Sequence, residues 1–213
     1  MIYANSLING IKTKANETGE RAKCPICNNT VISKCGAINI KHWAHQTLID
    51  CDTWAYSETE WHLNWKSLFP KENVEVTIAH ASTYHRADII GKDGTIIELQ
   101  HSPICVDAIR DREKFYGKMI WIFDLSDFRL AFNIEKDIPL YSLYEPGLFV
   151  FKWKWARPSV CACKMPIYFD YSMNLLLRVK LLVNSYGVGS FIEKNQLLSE
   201  FRSDLIDKPL PPL

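Results

Sequence analysis

The sequence predicts a mixed α/β protein whose centre, between Glu58 and Leu125, runs helix, three strands, helix, strand, preceded by a small β module and followed by an α+β region. Three observations carry this. Ser57 with Glu60 three residues later has the spacing of a capping box, and Trp61, Trp65 and Leu68 then recur at helical intervals up to Pro70. Three β-rich runs follow with no helical period between them. Finally, cysteines and histidines crowd the first quarter of the chain at metal-ligand spacing.

In order, Ile2 to Ile8, the hairpin dipeptide Asn9-Gly10 and Ile11 to Lys14 read as short strands and a turn. The metal-type segment follows. The first helix is expected at Glu58 to Phe69, the strands at Val74 to His80, Tyr84 to Gly91 and Ile96 to Ser102, and the second helix at Val106 to Tyr116. The apolar run Met119 to Leu125 suits a buried strand. Beyond it, strands are expected at Leu148 to Trp155 and Tyr168 to Ser172, a helix at 189–206, and a poorly ordered Pro-rich tail from Lys208. The expected divisions are 1–56, 57–126 and 127–213.

The 213 residues are 47% hydrophobic and 23% charged, an ordinary globular composition. No run of eighteen apolar residues occurs and the start lacks a basic stretch followed by an apolar one, so a cytoplasmic chain with no membrane span is expected. The net charge of +1 excludes a strongly basic coat protein, but it is unevenly distributed: +2 over 1–57, −5 over 58–149 and +4 over 150–213. An acidic centre suited to divalent cations lies between mildly basic flanks suited to a phosphate backbone.

Seven cysteines fit a closed disulfide framework poorly. Cys24-Pro25-Ile26-Cys27 is a knuckle, two thiolates able to reach one tetrahedral ion from a tight turn. His42, His45 and Cys51 offer three candidates for the remaining two places, giving Cys24, Cys27, His45 and Cys51 as the preferred structural zinc set and Cys24, Cys27, His42 and His45 as the alternative. Cys35 is expected to pack rather than to replace one ligand, and Cys161 with Cys163 is read as core or a weak second metal site.

Lys92-Asp93-Gly94 joins the second and third central strands as a three-residue hairpin loop, which pairs Gly91 with Thr95. Counting back sets Asp88 opposite Glu98 and Arg86 opposite Gln100, all on one face. Opposed carboxylates repel unless a cation lies between them, and Mg²⁺ suits such a pair. Glu58, His62 and Lys66, spaced i, i+4, i+8, form a polar row on the preceding helix. Facing the carboxylates, Glu58 completes the metal shell and His62 bonds a water or phosphate. Phe151-Lys152-Trp153-Lys154-Trp155 interleaves aromatics with bases; as a strand it either stacks bases and neutralises phosphates or buries its aromatics in the core.

Together, Cys24-x-x-Cys27, Gly36, His42-Trp43-Ala44-His45, Ser57-Glu58 through His62 and Lys66, Arg86-Ala87-Asp88, Glu98-Leu99-Gln100-His101-Ser102, and Arg112 through Tyr116 resemble the competence protein CoiA-like family, a branch of the PD-(D/E)XK nuclease superfamily. The resemblance covers about residues 20 to 125. It implies a restriction-endonuclease-like core of order αβββαβ with a zinc-ribbon-like N-terminal module, and metal-dependent hydrolysis of DNA phosphodiester bonds. Carried over, Asp88 and Glu98 hold Mg²⁺ or Mn²⁺, and Zn²⁺ in the first module is structural. Gln100 stands where many members have Lys; Gln supplies neither a positive charge nor a base, leaving Lys66 or His62 to compensate. Arg112 and Tyr116, one turn apart, then contact phosphate or brace the carboxylates, with Lys66, Arg86, Lys152 and Lys154 as further phosphate contacts. The implied partners are DNA, single- or double-stranded, and a recombination or defence protein. A non-catalytic DNA-binding module that keeps the fold and the zinc finger is the competing expectation.

Overall fold

The computed structural model describes residues 1–47, 51–54, 57–125, 132–135 (backbone only), 147–154 and 156–202. By its contacts the chain divides into two compact units, Met1–Ile90 and Gly91–Leu213, a division that falls between the second and third central strands.

The first unit opens with a five-stranded antiparallel sheet of β1 (Tyr3–Ser6), β2 (Lys12–Lys14), β3 (Arg21–Lys23), β4 (Thr30–Lys34) and β5 (His42–His45), in the order β2-β1-β3-β4-β5. These strands are too short to enclose a large core. Ala4, Ala15, Ala22, Cys24, Val31 and Trp43 form a small one, with Cys27, Cys35 and Cys51 packed against it. Trp43 holds its indole N–H on the Thr13 carbonyl at 3.1 Å.

Helix α1 spans Glu60–Ser67, shorter than expected, and Thr59 caps it in place of Ser57. The Thr59 hydroxyl accepts from the His62 amide, and His62 Nδ1 in return accepts from the Thr59 amide at 3.2 Å. This reciprocal pair is a capping box in which histidine does the work usually given to Glu or Gln, so the Ser57–Glu60 spacing points to a register two residues too early. Glu58 therefore precedes the helix, and of the expected polar row only His62 and Lys66 lie on α1. The antiparallel pair β6 (Val74–His80) and β7 (Thr83–Ile90) follows.

In the second unit, β8 (Ile96–Gln100), α2 (Val106–Tyr116), β9 (Met119–Asp124), β10 (Phe132–Glu135), β11 (Phe149–Trp153), α3 (Pro158–Cys161), β12 (Ile167–Asp170), β13 (Leu175–Val183), β14 (Tyr186–Glu193) and α4 (Lys194–Phe201) build a sheet ordered β10-β11-β14-β13-β12-β9-β8. The pairs β8–β9 and β9–β12 are parallel, the remainder antiparallel. All six residues of β9 are buried, as suits a parallel strand covered on both faces. The loop expected before β8 is present: the Gly91 amide bonds the Thr95 carbonyl at 2.8 Å, and Gly94 takes a left-handed φ of 82°.

The helix expected at 189–206 is corrected. Residues 186–193 form β14, and only 194–201 are helical. Gly187 and Gly189 explain why: a Cβ at Gly187 meets the Phe151 ring at 2.1 Å and one at Gly189 meets the Arg178 carbonyl oxygen at 2.5 Å, so this strand packs where side chains do not fit. Trp155, residues 203–206 and the tail from Lys208 lie outside the described residues. Among the described residues no helix is long and apolar enough to cross a membrane.

Candidate functional site

The N-terminal module brings together Cys24, Cys27, His45 and Cys51, whose ligand atoms all lie within 4.8 Å of one another. Cys24 Sγ is 3.7 Å from Cys51 Sγ, Cys27 Sγ is 3.2 Å from His45 Nε2, and Cys51 Sγ is 3.6 Å from the same nitrogen. Zn–S bonds of about 2.3 Å and Zn–N bonds of about 2.0 Å span edges of roughly this length in a tetrahedron. Two structural causes converge here. Asn28, at φ 56°, lets the knuckle turn tightly, and β5 ends at His45 beside it. Burial and then the adjacent Cys24 sulfur push the Cys51 thiol up to about 12, so a thiolate there requires a cation at its side. The four residues can hold a metal ion such as zinc. His42 is turned elsewhere, with Nδ1 2.8 Å from the Ile40 carbonyl.

A second cluster in the first unit is built of charges. Lys66 Nζ, nearly fully buried, lies 2.7 Å from Glu58, 3.3 Å from Glu75 and 3.0 Å from Asp88. Burial works against its charge, but Asp88, Glu75 and Glu58 outweigh it and hold the ammonium well above the usual lysine range. Burial likewise opposes ionisation of Glu75, yet Lys66 and Arg86 keep its carboxyl far below the usual range. Arg86, desolvated too, is held charged first by Glu75 and then by Asp52. Glu58 is the exception: desolvation dominates over Lys66, raising it to about 7, and its buried Oε2 has no hydrogen-bond partner among the described residues. Asp88, with its side chain 22% exposed, marks the side of the cluster nearest solvent.

Glu75 was not singled out from the sequence. Its residue adopts φ 49°, a costly conformation for a non-glycine residue. The flanking pairs Val74–Ile89 and Val76–Ala87 set it opposite Asp88. Its carboxylate accepts the Ile2 amide at 2.9 Å and the Tyr3 amide at 3.0 Å, which compensates for the strain. A signal existed: Glu75 is an acidic residue between two valines in an apolar strand, the criterion that drew attention to Asp88 and Glu98.

In the second unit, all of β8 is buried, and Glu98 and Gln100 share one of its faces by strand alternation. Arg112 Nη1 of α2 donates to Glu98 Oε2 at 3.1 Å, both side chains deeply buried. Tyr116, one turn on, is buried as well. Gln100 donates through Nε2 to the Ser102 carbonyl at 2.6 Å, while its buried Oε1 has no partner among the described residues. His101 Nδ1 lies 2.7 Å from Asp124 Oδ2, a pair the sequence did not announce.

His62 is buried at the α1 cap, its Nδ1 engaged there, so that nitrogen is not available for water or phosphate. In the interleaved strip, Phe151 and Trp153 are core residues on a strand with neighbours on both sides, so they do not stack bases. Lys152 on the other face lies 5.2 Å from the Tyr186 ring centroid, and Lys154 is exposed.

Residues 10–53 match the family described as Competence protein CoiA, N-terminal domain. The match is roughly a fifth of the chain and contains all four residues of the Cys/His cluster. No curated protein and no solved structure matches the chain.

Proposed function

We propose that this competence-related chain is a metal-dependent nuclease that hydrolyses DNA phosphodiester bonds, with a PD-(D/E)XK-like core and a structural zinc module. The observation that carries the proposal is the buried charge cluster: three carboxylates converge on one ammonium, and one carboxylate oxygen, Glu58 Oε2, has no partner among the described residues. Burying so many charges is costly for a fold that has no use for them. The element order α1-β6-β7-β8-α2-β9 is the order this core requires.

The surplus of negative charge and the exposed side of Asp88 fit a divalent cation. By the resemblance, Asp88 and Glu98 would be its ligands, with Glu58 completing the shell. Bound there, Mg²⁺ or Mn²⁺ acidifies a water and neutralises charge on the phosphoryl oxygens. The protein's own residues do the rest. Lys66 holds Asp88 and Arg112 holds Glu98, fixing both carboxylates. Gln100 Oε1 accepts a hydrogen bond and so orients a water, but it takes no proton. Glu58, raised to about 7 by burial, would be drawn into the ionised form by a divalent cation that it ligates.

One observation favours a second reading, a DNA-binding module without catalysis: Asp88 and Glu98 each already have a buried basic partner, and Gln100 replaces the usual Lys. Incubating the purified chain with plasmid and single-stranded DNA in Mg²⁺ or Mn²⁺ separates the two. Cleavage that disappears in folded Asp88→Ala and Glu98→Ala is the expected result. Binding without cleavage of any DNA form selects the module.

A further inference from the structure

The segment that follows Cys51 makes a connection that neither the zinc site nor the charge cluster requires. Asp52 is buried, and its carboxylate makes three bonds: Oδ1 accepts the Trp54 amide at 3.1 Å and lies 3.0 Å from His85 Nδ1, while Oδ2 accepts the Arg86 amide at 3.0 Å. The Trp54 ring stacks on His85 at 3.3 Å between centroids, with the planes 6° apart. His85 and Arg86 belong to β7, and Asp88 lies two residues further along that strand, on the same face as Arg86. The residue before Asp52 is one of the four convergent metal ligands.

We propose that Asp52 is a positioning residue that couples metal occupancy of the Cys24, Cys27, His45 and Cys51 site to the placement of the strand bearing Arg86 and Asp88. Ligand deprotonation and metal binding are linked to folding, because the ion supplies the common partner that its ligands lack without it. Cys51 is brought to the site from a segment outside the five-stranded sheet, so the ion fixes where residue 51 lies. Fixing Cys51 delivers Asp52 to His85 and to the Arg86 amide, a donor that the carboxylate satisfies. The zinc module then acts as a brace for β7. Coupling between two sites is reciprocal, so loss of the Asp52 clamp weakens metal binding by the factor with which the metal strengthens the clamp. What the clamp does for catalysis rests on the nuclease reading; the clamp itself does not.

The test uses the full chain, zinc-loaded and stripped by a chelator, with amide exchange followed at Arg86 and, as a folding control, at Trp121. Stripping the wild type is expected to speed exchange at Arg86 roughly tenfold while Trp121 stays protected. Zinc-loaded Asp52→Ala is expected to show the same acceleration with one zinc still bound per chain, to release zinc to a competing chelator more readily, and to change no further at Arg86 on stripping. Asp52→Asn, which keeps its size and one acceptor oxygen, falls between the two and serves if the alanine variant loses Trp121 protection. In zinc-loaded Asp52→Ala, kcat for DNA falls with KM little changed. Wild-type protection at Arg86 in zinc-loaded Asp52→Ala, or an equal effect of stripping on variant and wild type, overturns the proposal. Absence of cleavage by the wild type overturns the nuclease reading alone, because exchange and zinc affinity still decide the clamp.

Discussion

The Cys/His cluster and the charge cluster lie in the same unit and are built on opposite principles. In the first, three thiols and an imidazole face one another with no Lys or Arg among the four, a donor set suited to a metal such as zinc. In the second, three carboxylates surround an ammonium that the protein supplies itself, so a divalent cation bound there, as proposed, would meet a resident positive charge. The difference teaches what each site can do. A donor set without a counter-charge suits an ion held as part of the fold, whereas a set partly neutralised by its own lysine suits one held loosely enough to exchange.

The largest effect that sharpens this contrast is expected from Cys27→Ala. Elemental analysis should show loss of bound zinc, and the N-terminal module should melt early, because the binding free energy of a structural zinc is folding free energy, on the order of 10 kcal/mol. Next comes Lys66→Met, which leaves Glu58, Glu75 and Asp88 buried around an apolar side chain. Denaturant unfolding should show a loss of about 3–5 kcal/mol, partly recovered by millimolar Mg²⁺. Full stability without added metal would break the contrast, since Lys66 would then not be the resident cation.

The pH dependence gives a smaller effect. Glu58 has a folded value of about 7, above its ordinary carboxylate value, so the folded state binds this proton more tightly than the unfolded state. Its contribution is fully present below about pH 4.5 and is lost as pH rises to about 7. Glu75, lowered, works the other way: its contribution is complete above about pH 4.5 and is lost only as pH falls. Between those limits the Glu58 contribution changes with pH while that of Glu75 stays constant. Glu58→Gln should therefore gain roughly 2–3 kcal/mol relative to the wild type between pH 5 and 7.5, read from urea midpoints across pH. The smallest effect tests the helix start that puts Glu58 outside α1. Thr59→Ala should cost about 1 kcal/mol by thermal unfolding and Ser57→Ala close to nothing.

The elements that the sequence made plain are those where one signal acts alone. Val74–His80 and Val106–Tyr116 have the bounds expected of them, the first as a β-branched run, the second as a helix stopped by Gly117. Signals failed where two structures share a pattern. The apolar positions around Phe191 and Ile192 suit a buried strand as well as a helix, and Gly187 and Gly189, which mark close approach of Phe151 and Arg178, were the evidence for a strand. At the candidate site, residue types were readable and their bonding was not. Cys24, Cys27, His45 and Cys51 are near enough in sequence for spacing to suggest them. Glu75, at a left-handed φ of 49°, meets Lys66 across nine residues, and Asp52 meets His85 across 33 residues of chain; no local pattern records either contact.

Metal exchange on the purified chain, followed by DNA cleavage, tests the central claim most directly. After brief treatment with EDTA, one zinc should be retained per chain and cleavage abolished, with cleavage restored by Mg²⁺ or Mn²⁺ but not by further zinc. Retained zinc and intact DNA binding with no cleavage under either added metal would contradict it.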